Sequence, residues 1–512
     1  MSARPGQLPT VEAGTLELGH PAHDAEITIR KRAAGGAVWI FVSFALSKVF
    51  GLASNVVLAR LLTPEHFGLV AFAMVVIGAF TLLQDLGVPD ALIYNQRTTT
   101  ELLQTALAIN LGAAVVLFCI SALLAPLLAR LGGDATIAPI VIVLAIGLIF
   151  SAAGSVQNAL LSKQLAFRRR TLPDIVSLAT ESVVAIGLAL AGFGVWSLVI
   201  GFLTLNLTKT LMLWYLSDAH PLPRYHASLA GQLVGYGKHV SLNAIVGFAA
   251  NNVDYLIVGY VLGPRALGIY TLAFMVANIP TTAISQVLRT AMFPVYASLR
   301  QDRQRMVTLF EDVFVVVWTL SIGTGLVIFI CAPLYMSLLL GDKWSTIGDP
   351  LRILTIFGVL RSIGAVFPPV YKALGRPDMD WKFTLARLLV SAPLMMLVAG
   401  AGVNAVSGIH AIVAAILVPL NAVFFARVAE VGLARIMRLI VGQLAGVAGV
   451  ALLIALGRTT PSLRDAGSHP FELLLVVILA SAVYLGAVVS LNRQLLARLL
   501  PALRATRPAG MR

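Results

Sequence analysis

Charged residues and cysteines are both scarce in this sequence. Asp, Glu, Lys and Arg make up 12% of its 512 residues and hydrophobic residues 58%, whereas a soluble globular chain carries about 25% charged residues. This balance excludes an ordinary soluble domain and indicates a chain that folds in lipid. The two cysteines, Cys119 and Cys331, lie in separate apolar stretches, which excludes a disulfide framework and a cysteine-based metal site. We therefore predict no metal and no cofactor.

Acidic residues are scarcer than basic ones, and long polar segments are absent. The net charge is +14, but the basic residues form short clusters between apolar stretches, without interleaved aromatic residues, so we expect no nucleic-acid partner. Residues 1–29 lack the basic start and apolar core of a secretory signal, and we interpret them as a disordered cytosolic tail. No loop between apolar stretches exceeds about 20 residues, which leaves no room for a soluble catalytic domain.

Long apolar runs make up most of the sequence. About 20 mostly apolar residues are needed to cross the hydrocarbon core of a membrane, and about fourteen such runs occur. We predict an all-α membrane protein whose transmembrane helices form two pseudo-symmetric lobes around a central cavity. The predicted parts are an N-lobe of spans 1–6 (residues 30–216), a C-lobe of spans 7–12 (231–428), spans 13–14 (435–491) and a basic amphipathic cytosolic tail (492–512).

The basic residues are distributed unevenly between the two sides of this topology. With the N-terminus inside, 24 of the 37 Lys and Arg residues fall in inside segments and six in outside loops. Cytosolic loops carry such an excess of Lys and Arg, so we predict that both termini are cytosolic. The six outside residues are Arg60, Arg130, Arg265, Lys343, Arg458 and Arg464.

The two halves of the chain contain an internal repeat at an offset of 200 residues. Val56–Val76 reads VVLARLLTPEHFGLVAFAMVV, and Leu256–Val276 reads LIVGYVLGPRALGIYTLAFMV. A proline and a glycine recur in the turn between consecutive spans, as Pro64 with Gly68 and as Pro264 with Gly268. Both copies share one orientation in the membrane, which predicts two parallel lobes related by an axis along the membrane normal.

Charged residues inside the predicted spans are the candidate functional residues, because charge in a bilayer is costly. Bases outnumber acids there, which favours an anionic, phosphate-bearing ligand, since Arg bonds phosphate oxygens in pairs. The acids could couple an ion or form structural ion pairs, such as Lys48 with Asp85 or Asp254 with Arg289. Arg352 and Arg387 lie near predicted span ends, where their side chains can reach the interface. The candidate substrate-binding bases are Lys48, Lys209, Lys238, Arg289 and Arg361, and the acids are Asp85, Glu181 and Asp254.

Several motifs resemble those of one transporter family. The sequence is similar to Wzx-type polysaccharide flippases, the colanic-acid-exporter-like group of the multidrug/oligosaccharidyl-lipid/polysaccharide exporter superfamily. The similarity spans residues 30–382. Its motifs are Leu58–Gly68, Gln84–Gln96, Tyr236–Lys238, Asn252–Asp254, Gly263–Tyr270, Pro280, Phe293–Pro294, Arg300–Arg305, Gly341–Trp344 and Gly375–Pro377.

The resemblance implies a function. A flippase of this kind moves undecaprenyl-pyrophosphate-linked oligosaccharide across the bacterial inner membrane for surface polysaccharide biosynthesis (exopolysaccharide, capsule or O-antigen lipopolysaccharide). It implies a transporter and not an enzyme, with membrane lipid, a polysaccharide polymerase and a chain-length regulator as partners. Two alternatives stay open at this point, an ion-coupled multidrug antiporter and a membrane-embedded polysaccharide polymerase or ligase.

Overall fold

The structure is a computed structural model of the chain. It describes residues 46–85, 87–95, 99–164, 166–282, 288, 292–334, 339–432, 434–436, 478–482, 484 and 486. Within these ranges the chain is helical and contains no strand.

The first seven helices follow the apolar runs of the predicted N-lobe. Thr99 caps the N-terminus of α4 by accepting a hydrogen bond from the Leu102 amide, and Gly133 ends that helix in the left-handed conformation, which suits a residue without a Cβ. The helices are α1 (46–61), α2 (Pro64–Asp85), α3 (Val88–Tyr94), α4 (Thr100–Gly132), α5 (Ile137–Lys163), α6 (Phe167–Leu190) and α7 (Val195–Leu216).

The second half begins with a long, kinked helix, α8 (Ala227–Ala277). Gly263 interrupts it at φ 81°, a conformation open to glycine, and Pro264 removes the backbone donor that would continue the ladder. The kink therefore separates the two halves of α8. The helices that follow are α9 (Phe293–Ser298), α10 (Arg303–Leu334), a 3₁₀ turn (Asp342–Ile347), α11 (Gly348–Gly364), α12 (Phe367–Ala373), α13 (Asp378–Val398), a second 3₁₀ turn (Ala399–Ala401) and α14 (Val403–Val428).

Ten helical segments of the described residues are long and apolar enough to cross a membrane. The chain is therefore a multi-pass membrane protein, as predicted. The number fourteen stays a prediction, because most of spans 13–14 and the two terminal tails lie outside the described residues. The domain boundaries at 216, 231, 428 and 435 also stay predictions.

Two groups of helices pack mostly among themselves, and they meet along α2 and α8. The largest buried cluster runs across this junction and includes Phe72, Val258, Leu267 and Trp344. A second cluster lies within the later helices and stacks Phe310 on Phe425, with ring centroids 3.9 Å apart. The architecture of two helical lobes agrees with the prediction.

The repeat found in the sequence forms the contact between the lobes. Gly68 of α2 lies against the carbonyl of Pro264, and Gly268 of α8 lies against the carbonyl of Pro64. A Cβ added at either glycine would stand 1.8 Å from that oxygen. Residues at equivalent repeat positions thus contact each other reciprocally, which is the pattern of a twofold axis. We call these four residues the inter-lobe contact.

Further contacts surround the inter-lobe contact at the same end of the bundle. Arg265 pairs with Glu65 at 3.2 Å, again between repeat-equivalent positions. The indole nitrogen of Trp344 donates to the Ala59 carbonyl at 2.8 Å, and Arg60 Nε donates to the Leu339 carbonyl at 2.6 Å. This end therefore joins α1 and α2 to the segment that precedes α11.

Candidate anion-binding site

Arg361 is half-buried on α11. Its Nη1 donates to Asn278 Oδ1 at 3.3 Å and its Nη2 donates to Asn251 Oδ1 at 3.2 Å. Its guanidinium carbon lies 5.8 Å from the centre of the Phe357 ring, one helical turn earlier, a distance at which a cation is attracted to an aromatic face. Arg361 is the predicted base whose described neighbours are best defined.

Arg387 reaches the same amide from α13. Its Nη2 donates to Asn251 Oδ1 at 2.7 Å, so the two arginine nitrogens lie no more than about 6 Å apart. Two positive charges at that distance repel by roughly 3 kcal/mol at an effective dielectric constant of about 20. An anion placed beside both guanidiniums would relieve this repulsion and could accept several charge-assisted hydrogen bonds.

A carboxylate lies one turn after Asn251 on α8, that of Asp254. It is 1% exposed, and its Oδ2 accepts from Tyr270 Oη at 2.5 Å and contacts His410 Nε2 at 3.0 Å. His410 is 5% exposed on α14 and packs on Phe357, with ring centroids 4.5 Å apart. Asp254 thus contacts the imidazole of His410 and the phenol of Tyr270. Phe357 packs on His410 and also lies beside Arg361.

The site lies next to the junction of the lobes. Phe248, one turn before Asn251, packs on Gly78 of α2, where an added Cβ would stand 2.9 Å from the ring. Helix α8 therefore carries, on successive turns, a contact with the other lobe, the amide that holds the arginines and the buried acid. A shift of α8 against α2 would therefore move Asn251 and Asp254, which both lie on α8.

The structure describes the surroundings of only some of the other predicted residues. Lys209 pairs with Asp174 of α6 at 2.7 Å, so it has a carboxylate partner inside its own lobe. Among the other bases, Lys48 is exposed on α1, and Arg289 and the side chain of Lys238 lie outside the described residues. Among the acids, Asp85 is half-buried at the end of α2, and Glu181 is half-buried on α6 against Gly201 of α7.

Sequence reasoning missed three members of the site. Arg387 was assigned to a span end, but its guanidinium is bonded to Asn251 within the bundle. Asn251 and His410 gave only a weak signal, a polar residue in an apolar run. Arg352, the other arginine predicted near a span end, contacts Asp349 at 4.0 Å and the Phe329 ring at 5.7 Å.

The described residues contain no group of three His, Cys, Asp or Glu side chains that could hold a metal ion. The chemistry on offer is therefore that of guanidinium, amide, imidazole and carboxylate. These groups can bind and release an anion or a proton.

Known proteins with similar sequences belong to polysaccharide biosynthesis. The chain is 24% identical over 378 residues to lipopolysaccharide biosynthesis protein WzxC of Escherichia coli (strain K12), covering 72% of this chain and 76% of WzxC. It is 24% identical over 345 residues to succinoglycan biosynthesis transport protein ExoT of Rhizobium meliloti (strain 1021), covering 65% of this chain and 68% of ExoT.

A solved structure shares the architecture. The lipid II flippase MurJ, in an inward closed conformation, matches 89% of this chain and 99% of its own with a TM-score of 0.71 at 15% identity. At that identity the likeness establishes the fold. The family of polysaccharide biosynthesis proteins matches residues 57–349, more than half of the chain, and the chain therefore belongs to the polysaccharide biosynthesis protein family.

Proposed function

We propose that this protein is a flippase for lipid-linked oligosaccharide in surface polysaccharide biosynthesis. It is a transporter and not an enzyme. We place it in the bacterial inner membrane and propose undecaprenyl pyrophosphate as the lipid carrier of its glycan. Its relatives WzxC and ExoT, whose names refer to lipopolysaccharide and succinoglycan biosynthesis, support this class of substrate.

The convergence of Arg361 and Arg387 on Asn251 is the observation that carries the proposal. A diphosphate presents oxygens on two phosphorus atoms, and planar guanidiniums match such oxygens in pairs. In the proposed mechanism the diphosphate binds beside this pair in a cavity between the lobes, while the polyprenyl chain stays in the bilayer. A cationic drug at this place would be repelled by the positive charges of Arg361 and Arg387.

The inter-lobe contact supports alternating access. It lies with Arg60 and Arg265 at the end of the bundle that the distribution of Lys and Arg assigns to the outside. With both termini cytosolic, this conformation would be closed toward the periplasm and would load substrate from the cytosolic side. Release would then require the inter-lobe contact and the Glu65–Arg265 pair to separate.

The remaining predicted residues enter the proposal with different roles. Lys48, Lys238 and Arg289 are proposed as further cavity bases, whereas the pair that Lys209 forms with Asp174 favours a structural role. Asp254 with His410 is the proposed place of ion coupling, because these two buried side chains contact each other at 3.0 Å and an imidazole next to a carboxylate can share a proton with it. Asp85 and Glu181 are the other acids proposed for coupling. A polysaccharide polymerase and a chain-length regulator are the proposed partners.

Substitution of the arginine pair tests the proposal. In a deletion strain complemented with variants, Arg361→Gln and Arg387→Gln should each abolish most surface polysaccharide and accumulate sugar-loaded undecaprenyl pyrophosphate in the cytosolic leaflet. Arg352→Gln, on the same helix as Arg361 and beside Asp349, is the matched control and should export normally. Immunoblots of membranes confirm equal insertion.

Two results would contradict the proposal. Export at the wild-type rate in both glutamine variants would remove the arginine pair from the substrate site. Normal polymer in the deletion strain, together with altered drug sensitivity, would replace the flippase with a multidrug antiporter.

A further inference from the structure

The 3₁₀ turn Asp342–Ile347 places a tryptophan between the two lobes. Trp344 is completely buried, and its amide closes the turn by donating to the Gly341 carbonyl at 3.1 Å. Gly341 adopts φ 83°, a left-handed conformation that suits a residue without a Cβ. The turn packs on α8 and α11, so Trp344 belongs to the C-lobe.

The indole of Trp344 contacts two residues of the N-lobe. Its Nε1 donates to the Ala59 carbonyl at 2.8 Å, and its ring meets the Phe67 ring edge-on, with centroids 5.4 Å apart. Ala59 lies in the last turn of α1, where backbone carbonyls have no donor within the helix. The Thr63 amide, which would extend the helical ladder to Ala59, donates instead to His66 Nδ1 at 3.4 Å. Trp344 therefore caps the end of α1 from the opposite lobe.

This hydrogen bond differs from the ion pair at the same end of the bundle. Glu65 and Arg265 are exposed and stay accessible to water, so their pair distinguishes only weakly between joined and separated lobes. The bond from Trp344 to Ala59 is closed off from water while the lobes are joined, and its loss there would leave a buried carbonyl without a partner. When the lobes are apart, water can reach the same carbonyl. The indole N–H therefore stabilises the joined conformation selectively.

We propose that Trp344 is the latch residue that holds the lobes together at the end of the bundle that carries Glu65 and Arg265. It acts through the backbone carbonyl of Ala59 and is a positioning residue, because it affects transport by setting how often this end opens. The inference rests on the proposed function in one respect, since it takes the opening of this end to be the step that releases substrate. The latch itself requires only that the lobes separate.

The central test is Trp344→Phe, which keeps an aromatic ring and removes the N–H. Nitroxide labels at Glu65→Cys and Arg265→Cys, in a background with Cys119 and Cys331 replaced by serine, report on the lobes. Double electron–electron resonance on the purified full-length protein in lipid nanodiscs then gives the ratio of separated to joined lobes. Trp344→Phe should raise this ratio about tenfold, because the unpartnered carbonyl penalises only the joined conformation.

Trp318→Phe is the matched control, since it deletes the same atoms from another buried tryptophan. Trp318 is 5% exposed on α10, and its indole nitrogen has no hydrogen-bond partner in the part of the chain that the structure describes. Its replacement removes ring volume without leaving an acceptor unpartnered, so the ratio should stay within about twofold of wild type. Both variants should lower the midpoint of thermal unfolding through lost packing, but only Trp344→Phe should change the ratio.

A second variant tests the latch from the N-lobe. Phe67→Leu keeps the indole N–H and its acceptor but removes the edge-on ring contact, so it should raise the ratio by about threefold. If Trp344→Phe does not insert into the membrane, an unchanged ratio in Phe67→Leu overturns the proposal.

Two other results would also overturn it. A lower unfolding midpoint in Trp344→Phe with an unchanged ratio would show that Trp344 contributes packing alone. An equal rise of the ratio in Trp318→Phe would show that lost ring volume, and not the lost hydrogen bond, separates the lobes. Because the labels report on the lobes without substrate, normal polymer in the deletion strain would contradict the proposed function and leave the latch standing.

Discussion

Asp254 is a carboxylate almost completely withdrawn from solvent, inside a helix that crosses the membrane. Such a group is tolerated when it is paired and hydrogen-bonded, and removal of its partner leaves a buried charge without compensation. Here Tyr270 and His410 share its Oδ2, and the second oxygen has no partner among the described residues. His410 is therefore the contact on which the burial of this acid depends.

Substitution of His410 by Ala should destabilise the protein by about 3 kcal/mol, because it strands the carboxylate of Asp254. The measurement is the midpoint of thermal unfolding in detergent, followed by tryptophan fluorescence. His220→Ala is the control, since His220 is exposed and contacts no carboxylate in the described structure, only the carbonyl and the ring of Trp214. It should change stability by less than about 0.5 kcal/mol.

A second variant identifies the cause of this loss. Asp254→Asn removes the charge and keeps an oxygen for Tyr270, so His410→Ala should cost clearly less in the Asp254→Asn background than in the wild type. Equal costs in both backgrounds would show that His410 contributes through packing on Phe357 alone.

At the residue scale, the sequence predicted one base of the candidate site, and the structure adds the neighbours of that base. An excess of intramembrane bases pointed to an anion, and Arg361 was among the residues named. Its partners Asn251 and Arg387 lie 110 and 26 positions away, and only the packing of α8, α11 and α13 brings them together. The sequence predicted that Arg387 lies near a span end and did not indicate its hydrogen bond to Asn251, because that contact depends on how α8 and α13 pack.

At the scale of elements, α2 and the second half of α8 approach each other more closely than side chains would allow. Gly68 and Gly268 make this possible, because each faces a backbone carbonyl and not a flexible side chain. Small residues permit such close packing of membrane helices. The position of α8, and with it the position of Asn251, therefore depends on the absence of a Cβ at Gly68 and at Gly268.

Substitution of Gly268 by Ala should force α2 and α8 apart and lower stability by about 1–3 kcal/mol, the usual cost of overpacking. Gly112→Ala in α4 is the matched control, since a Cβ there meets nothing within 4 Å. It should leave stability unchanged or raise it by up to about 1 kcal/mol, as alanine favours the helix. The midpoint of thermal unfolding of both variants tests this prediction. Wild-type stability of Gly268→Ala would contradict the close approach of α2 and α8.

The helical elements were largely predictable from apolar runs, and the turn glycines were visible in the repeat. The sequence did not reveal that the repeated segments touch. The pattern Pro64–Gly68 predicts a turn between spans. It does not indicate whether the repeated turn, Pro264–Gly268, packs against the first. The reciprocal contact arises from the arrangement of the lobes, which no local periodicity specifies.

At the scale of the whole molecule, the lobes meet at one end, and transport as proposed requires them to separate there. Glu65 and Arg265 lie at that end on opposite lobes, 3.2 Å apart. The pair is exposed, so its contribution to stability is small. The Glu65–Arg265 pair is, however, a suitable place to attach a probe of lobe separation.

Glu65→Cys with Arg265→Cys, joined by a short cleavable thiol cross-linker, should stop export, and cleavage of the linker should restore it. The background needs Cys119 and Cys331 replaced by serine. The control joins Asp174→Cys to Lys209→Cys, a pair within one lobe at 2.7 Å, and should export normally when cross-linked. Undiminished export with the inter-lobe linker in place would show that this end does not open during transport.

The reciprocal packing of Gly68 and Gly268 makes each lobe surface the complement of its own copy. Such isologous surfaces are what identical subunits use to form dimers, so this fold carries the geometry of a homodimer within one continuous chain. The charges at the repeat-equivalent positions break that symmetry. Two N-lobes would bring Glu65 against Glu65 and two C-lobes would bring Arg265 against Arg265, so the backbone permits self-pairing while these side chains oppose it.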